Sequence, residues 1–273
     1  MRELTIVIVS FNTRAELEAC LGSLASAPPS IPHGITVVDN ASSDGTVEAL
    51  RARWPGLHLI ASDRNVGFAA ANNLGIRHAD TEFVLLLNSD TLVPAGAVDT
   101  LVRALKGDAG AAAVGPRLVG RDGRPEISFG PMMGPFNEMR QKVLGRLYDR
   151  RWPAAVRLVT RMTSRPGRPD WVSGACLLIR RSDAMAAGLI DERYFLYAED
   201  VDFCAALRSL GRHILFTPDA EVVHLRGVSG RSRPVETKRA YRRSQIAFYE
   251  KQHPAWAPVL RAYLRLRGQL PAP

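Results

Sequence analysis

Cysteine is scarce. Cys20, Cys176 and Cys204 are the only three in 273 residues, and no two have the spacing of a metal-binding pair. That excludes a disulfide scaffold and a Cys-built zinc site, and it reads as reduced, buried thiols in a cytoplasmic protein. No apolar run approaches the roughly 20 residues that span a bilayer. Met1-Arg2-Glu3-Leu4 leads straight into a strand-like run without a small-residue cleavage site, so no secretory leader is read and the Asn40-Ala41-Ser42 sequon is discounted. No Gly-x-Gly-x-x-Gly follows the first strand and no Gly-x4-Gly-Lys-Ser/Thr occurs, which excludes a dinucleotide fingerprint and a P-loop. A Gly-x-Ser-x-Gly elbow and a His-Glu-x-x-His pair are also missing.

What is present is an ordinary globular composition, 46% hydrophobic and 23% charged, with an uneven net charge of +9. From Gly130 to Arg168 nine Lys/Arg face two acids, and from Arg231 to Gly268 ten face two, so the rest of the chain is net acidic. Two basic attachments on an acidic body suit an anionic surface such as phospholipid headgroups; nucleic acid is disfavoured, because neither segment has a recognised motif or an aromatic platform.

The first half alternates in period. Apolar runs at Thr5–Val9, Ile35–Val38, Leu57–Ala61, Phe83–Leu87 and Ala111–Val119 predict strands. Between them Arg14–Ala25, a segment capped at Ser43-Asp44 and running to Arg53, Phe68–His78 and Pro94–Leu105 predict helices. Such alternation implies βαβ units and a mostly parallel sheet, with ligands bound beyond the carboxyl ends of the strands. Ser10 to Asn12, Asp39-Asn40 and Asn88-Ser89-Asp90 occupy those ends. Further on, Met139, Val143 and Leu147 share a helical spacing, Trp171–Ile179 is strand-like, Asp183–Ala187 is helical, and His213–Phe216 and Glu221–Leu225 read as two short strands. Thr237–Arg267 is helical with a break at Pro254.

Three polar clusters carry chemistry. A carboxylate at Asp39 can accept the N3–H of uracil or thymine and repels the N3 acceptor of cytosine. Asp90 offers an oxygen ligand to a hard cation that shares substrate phosphates. His224 could be a second ligand, compatible with Mn²⁺; alone it reads as a structural histidine. Glu199-Asp200-Val201-Asp202 opens a helix behind Tyr194, Phe195, Leu196 and Tyr197, an apolar wall that would raise a carboxylate toward the working range of a general base.

At these residues the chain resembles a family 2 glycosyltransferase of GT-A fold, in its bacterial rhamnosyltransferase-like branch. The resemblance covers nearly the whole length. It rests on "TIVIVSFNTRAELEACLGSL", "VVDNASSDGT", "NVGFAAANNLGI", "LLLNSDT", "WVSGACLLIRR", "FLYAEDVDFCAALRSLG" and "VVHLRGVS". It implies an α/β fold with a Rossmann-like, mostly parallel central sheet flanked by helices, and a helical C-terminal extension. The catalytic domain would be residues 1–230, with a nucleotide-binding half to 120, an acceptor-binding half from 121 and a basic insertion at 130–169; residues 231–273 would be the extension. The implied reaction is sugar transfer with inversion from a nucleotide diphosphate. Ser10, Asn12 and Asp39 would hold the nucleoside, with Asn65, Gly67 and Phe68 against the nucleotide. Asp90 and His224 would bind Mn²⁺ or Mg²⁺, with Asn88 and Ser89 beside them, and Asp200 would be the base. Trp171, Ser173, Gly174, Glu199 and Asp202 would line the sugar or acceptor pocket. The familiar Asp-x-Asp has Asn at position 88, which predicts a weaker cation site.

The branch points to dTDP-rhamnose, with UDP-sugars as rivals, and to a saccharide or polyprenyl-diphosphate-linked acceptor in cell-surface polysaccharide synthesis. Trp256, Val259, Leu260, Tyr263 and Leu264 form an apolar stripe among arginines. It predicts peripheral contact with the inner face of the plasma membrane, packing against the body, or a homodimer. A non-catalytic sugar-nucleotide binder is the rival class.

Overall fold

Residues 2–225 and 234–271 are described in the computed structural model. The end of "VVHLRGVS" and the boundary expected at 230/231 lie outside the described residues.

Among the described residues ten strands form in chain order: β1 (Leu4–Ser10), β2 (His33–Asp39), β3 (His58–Ala61), β4 (Phe83–Asn88), β5 (Thr91–Leu92), β6 (Ala111–Val119), β7 (Phe129–Gly130), β8 (Trp171–Val172), β9 (Cys176–Arg180) and β10 (His213–His224). Eight make one sheet, ordered β3-β2-β1-β4-β9-β6-β10-β5, and β7 pairs with β8 separately. The β1–β2, β1–β4, β2–β3 and β6–β10 pairs are parallel; β9 runs antiparallel between β4 and β6. All seven residues of β1 are buried, because helices cover both faces. Alternate residues serve different cores. Val7, Val9, Val84 and Leu86 face one, while Ile6, Ile8, Leu85 and Leu87 face the other.

Helices α1 (Arg14–Ser26), α2 (Thr46–Arg53) and α4 (Ala97–Lys106) pack on the second core, and α3 (Phe68–His78) on the first. Further on come α5 (Pro135–Asp149) and α6 (Pro153–Thr163), then α7 (Arg181–Ala186) and α8 (Glu199–Ser209). The chain closes with α9 (Pro234–Gln252), a 3-10 turn at Pro254–Trp256, and α10 (Ala257–Leu266). Among the described residues, no helix is long and apolar enough to cross a membrane.

The sequence reading differs from the fold at definite points. α2 begins at Thr46 rather than at Ser43, because the Asp44 carboxylate accepts the Thr46 N–H two residues on. The two short strands expected after His213 are one strand, β10, whose register shifts between Thr217 and Glu221 around Pro218, which has no N–H to donate. Trp171–Ile179 is divided by a turn at Ser173–Ala175 into β8 and β9.

The described part of the C-terminal extension is not a separate body. Phe248, Tyr249 and Ala257 are buried in the first core. The basic insertion is tied to it. Glu138 of α5 is buried and accepts hydrogen bonds from Lys142, Tyr241, Gln245 and Tyr249.

Candidate functional site

The register aligns the strand ends. Ser10 pairs with Asp39, Val9 with Asn88, and Asp39 with Ala61, so the carboxyl ends of β1 to β4 form one edge. Asp39 Oδ2 accepts the Ser42 N–H at 2.9 Å. Its Oδ1 is buried with no hydrogen-bond partner among the described residues. A buried acceptor left unmade is costly, and that is the condition a ligand N–H would relieve.

Around Asp39 lies an amide lattice that sequence reasoning only partly found. Asn40 Nδ2 donates to Asn65 Oδ1 at 2.9 Å, Asn40 Oδ1 accepts the Val66 N–H, and Asn65 Oδ1 accepts the Gly67 N–H. Asn40 was passed over because Asx residues at strand ends are common turn formers. Gly67 has φ 88°, and a Cβ there would lie 2.8 Å from both the Phe195 ring and its carbonyl oxygen. The Phe68 N–H donates to that same carbonyl at 2.8 Å. The loop from Asn65 to Phe68 therefore clasps the segment leading to Asp200.

Three expected nucleoside contacts have other work. The Ser10, Thr13 and Ser89 hydroxyls form a buried chain, 3.1 Å and then 2.9 Å long, that joins the ends of β1 and β4. Ser10 and Ser89 are thus tied to each other through Thr13. Asn12, at φ 53°, accepts the Ser43 N–H at 2.8 Å, and its own N–H donates to Ser42 Oγ, stitching the first loop to the second.

Asp90 and His224 meet because β10 pairs with β5, setting His224 opposite Thr91, and the Leu225 N–H donates to the Asp90 carbonyl. His224 Nε2 is 3.3 Å from Asp90 Oδ1. Two neighbouring ligands of an octahedral cation with bonds of about 2.1 Å stand about 3 Å apart, so this pair fits a divalent ion. Asn88 Oδ1, nearby at the end of β4, is buried and without a hydrogen-bond partner among the described residues. Those residues contain no group of three or more His, Cys, Asp or Glu able to hold a metal alone. On its other nitrogen His224 has a carboxylate that the sequence did not reveal: Glu126 Oε2 lies 3.2 Å from Nδ1, and Glu126 is buried. Its only signal was an acid between Pro125 and Ile127, a place with no period to read. Burial opposes charge on His224, but the hydrogen bonds to Asp90 and Glu126 outweigh it and raise the imidazole to about 9.

Asp200 stands beside this edge. The Asn88 N–H donates to the Ala175 carbonyl, and the adjacent Gly174 N–H donates to Asp200 Oδ2 at 3.0 Å. The Val201 N–H holds Oδ1 at 2.8 Å. Burial lifts the Asp200 carboxyl above its ordinary value in spite of those two donors. Burial, and then the Asp200 charge, lift Glu199 well above the carboxylate range, and Glu199 Oε2 has no hydrogen-bond partner among the described residues. The site therefore sets a carboxylate held by two backbone N–H groups beside a second carboxyl whose protonated form burial favours.

Two expected pocket residues point elsewhere. Asp202 is buried, with one oxygen taken by Lys251 at 2.7 Å and the other by Gln252 at 2.8 Å, so it anchors α9 instead of meeting a sugar. Trp171 is buried and donates its indole N–H to the Pro131 carbonyl, tying β8 to the insertion. Ser173 remains half-buried in the turn, its N–H on the Ser128 carbonyl.

Residues 5–183 match the sequence model for Glycosyl transferase family 2. An N-acetylglucosaminyl-diphospho-decaprenol L-rhamnosyltransferase of Mycobacterium tuberculosis is 32% identical over 98% of this chain and 92% of its own length. A low-salt glycan biosynthesis hexosyltransferase of Haloferax volcanii is 25% identical over 76% of this chain and 62% of its own. Among solved structures, a mannosyltransferase from Pyrobaculum calidifontis, in complex with GDP-Man and Mn²⁺, superposes with a TM-score of 0.64 at 21% identity, over 96% of this chain and 69% of that one.

Proposed function

The chain belongs to glycosyl transferase family 2, and from that premise we propose that it is an inverting, cation-dependent rhamnosyltransferase. The donor is dTDP-rhamnose and the acceptor is a saccharide carried on a polyprenyl diphosphate, at the membrane surface where cell-surface polysaccharide is assembled. The near full-length similarity to the mycobacterial enzyme supports the sugar and the acceptor class. One observation carries the chemistry: a single edge of strand ends presents an unpartnered acceptor at Asp39, a cation-spaced Asp90–His224 pair, and a held carboxylate at Asp200.

Asp39 Oδ1 accepts the base N3–H. Asp90 and His224 would hold the divalent cation. When bound, the cation supplies positive charge against the leaving diphosphate. Asp200 takes the proton of the acceptor hydroxyl as that oxygen attacks the anomeric carbon from the face opposite the leaving group. One base suffices for this single displacement, whereas retention would need a placed nucleophile. Asn65, Gly67 and Phe68 border the nucleotide, and Ser173, Gly174 and Glu199 border the sugar. We assign residues 1–230 to the catalytic domain and 231–273 to an extension braced on it.

A panel of dTDP-, UDP- and GDP-sugars with Mn²⁺ or Mg²⁺ and a polyprenyl-diphosphate N-acetylglucosamine acceptor tests this reading. Turnover with dTDP-rhamnose is expected. Turnover with GDP-mannose alone, or no nucleotide-induced thermal shift in any arm, overturns it. A UDP-sugar donor is the second reading, because uracil and thymine offer Asp39 the same N3–H.

Glu126 orients His224 by accepting its Nδ1–H, which leaves Nε2 for the cation. Glu126→Ala is expected to weaken Mn²⁺ binding in the presence of dTDP by about 10- to 100-fold in calorimetry. Glu126→Gln, which keeps an acceptor oxygen, should lose less. Unchanged affinity in both variants would remove Glu126 from this role.

A further inference from the structure

Outside the strand-end edge, the largest unexplained feature is an apolar face built by two helices far apart in sequence. On α5, Phe136, Met139 and Val143 follow one another at helical spacing and are 71%, 61% and 48% exposed. On the 3-10 turn and α10, Trp256, Val259 and Tyr263 do the same at 42%, 55% and 53%, and Leu266 extends the row. The two rows are joined: the Phe136 and Trp256 rings meet edge-on at 6.0 Å. Sequence reasoning treated the α10 stripe as one surface, but it is divided. Leu264 is fully buried and Leu260 packs against the first core, while Trp256, Val259 and Tyr263 point away. Packing against the body therefore accounts for only half of the stripe. A joined face of this extent marks an interaction site.

The charge around it selects the occupant. α5 adds Arg140 and Arg146, and α10 adds Arg265, with Arg267 just past its end; Lys142 and Arg261 beside them are paired with Glu138 and Glu250. α10 has no acid, and on α5 Glu138 is buried and hydrogen-bonded, leaving Asp149 at the far end. Apolar side chains standing among cations match a surface that is oily below and anionic above.

We propose that the joined α5–α10 face is a docking surface for an anionic lipid bilayer. Phe136, Met139, Trp256 and Tyr263 enter the acyl boundary while the surrounding arginines meet phosphate headgroups. The basic insertion is then half of the docking surface, not only a solvated arginine-rich segment. The proposal extends the lipid-linked acceptor reading but stands on residues that take no part in the chemistry, so either can fail alone. The same body also reaches the catalytic segment. α9 leads into the docking face, and its Ser244 hydroxyl donates to the Leu196 carbonyl at 2.8 Å, four residues before Asp200.

The test is flotation of the full chain with phosphatidylcholine vesicles containing or lacking about a third phosphatidylglycerol. The variants are Met139→Glu on α5, Tyr263→Glu on α10, and Arg265→Glu in the rim. All three positions are exposed, so unchanged circular dichroism and melting temperature are expected. At low salt the parent chain should partition at least tenfold more to anionic than to neutral vesicles. Each apolar variant should lose at least tenfold of that binding, and Arg265→Glu should lose mainly the preference for anionic lipid. Thermal shift with dTDP should be equal in all four proteins. Absence of vesicle binding, or binding that Met139→Glu leaves intact, overturns the proposal. Light scattering that finds a dimer dispersed by Met139→Glu and Tyr263→Glu also overturns it, and makes the face a contact between copies. Loss of transfer activity with vesicle binding retained would instead count against the transferase reading.

Discussion

Asp200→Asn keeps nucleotide-induced thermal stabilisation within about twofold of the parent and loses transfer by about 10²- to 10⁴-fold, the contribution of one positioned base. The fold should tolerate the change, since an amide oxygen can still accept the Gly174 N–H that now binds Oδ2. What disappears is the capacity to take a proton. The pH dependence adds a second signature. Burial raises the Asp200 pKa, so the base is lost as pH falls through a value above the ordinary carboxylate pKa of about 3.9. The acid limb of kcat/KM should therefore lie higher than that of an exposed aspartate, and Asp200→Asn should erase it. Glu199→Gln is the contrasting variant. Burial and the neighbouring Asp200 charge shift its carboxyl toward the protonated form, so an amide of the same shape should reduce turnover by less than about tenfold. Near-normal turnover in Asp200→Asn together with collapse in Glu199→Gln would transfer the base to Glu199.

The second large effect is removal of the cation. Asp90→Ala, or excess EDTA on the parent chain, is expected to reduce transfer by about 10³-fold or more, because the charge developing on the leaving diphosphate loses a stabilisation of several kcal/mol. Mn²⁺ should restore the chelated parent and not the variant. Calorimetry without acceptor provides a measure independent of turnover: Mn²⁺ binding with dTDP should vanish in Asp90→Ala. Asn88 contributes a neutral oxygen where a second carboxylate is familiar, so Asn88→Asp should tighten Mn²⁺ binding. Full activity in excess EDTA would end the case for a cation at this edge.

Much of this architecture was legible in the chain because the central strands are continuous apolar runs closed by turn residues. β4 and β6 have the expected starts, and α3 spans its predicted residues; Gly110 marks the start of β6 and Gly67 that of α3. The direction of β9 was not legible, because a five-residue apolar run looks the same in either orientation. The candidate site divides in the same manner. Asp39, Asp90 and Asp200 stood out as carboxylates at element ends, where a parallel sheet gathers its ligands. Ser10 and Ser89 stand at strand ends by sequence, and no local pattern shows that their hydroxyls are linked through Thr13. Asp202 belonged by sequence to the acidic cluster, and its partners Lys251 and Gln252 lie about fifty residues away, where no local pattern connects them. Glu126 was hidden in the same way, 98 residues from His224.

The Glu138 junction has a consequence for how such a chain can vary. Tyr241, Gln245 and Tyr249 converge on one carboxylate more than a hundred residues earlier. A recombinant that imports the tail of a relative without the matching insertion would leave this buried acid with only Lys142 of its own helix, and the reverse exchange would strand two phenols and an amide against the core. The insertion and the tail are therefore inherited as a pair. Shuffling between relatives should succeed when both cross over together and fail when either crosses alone.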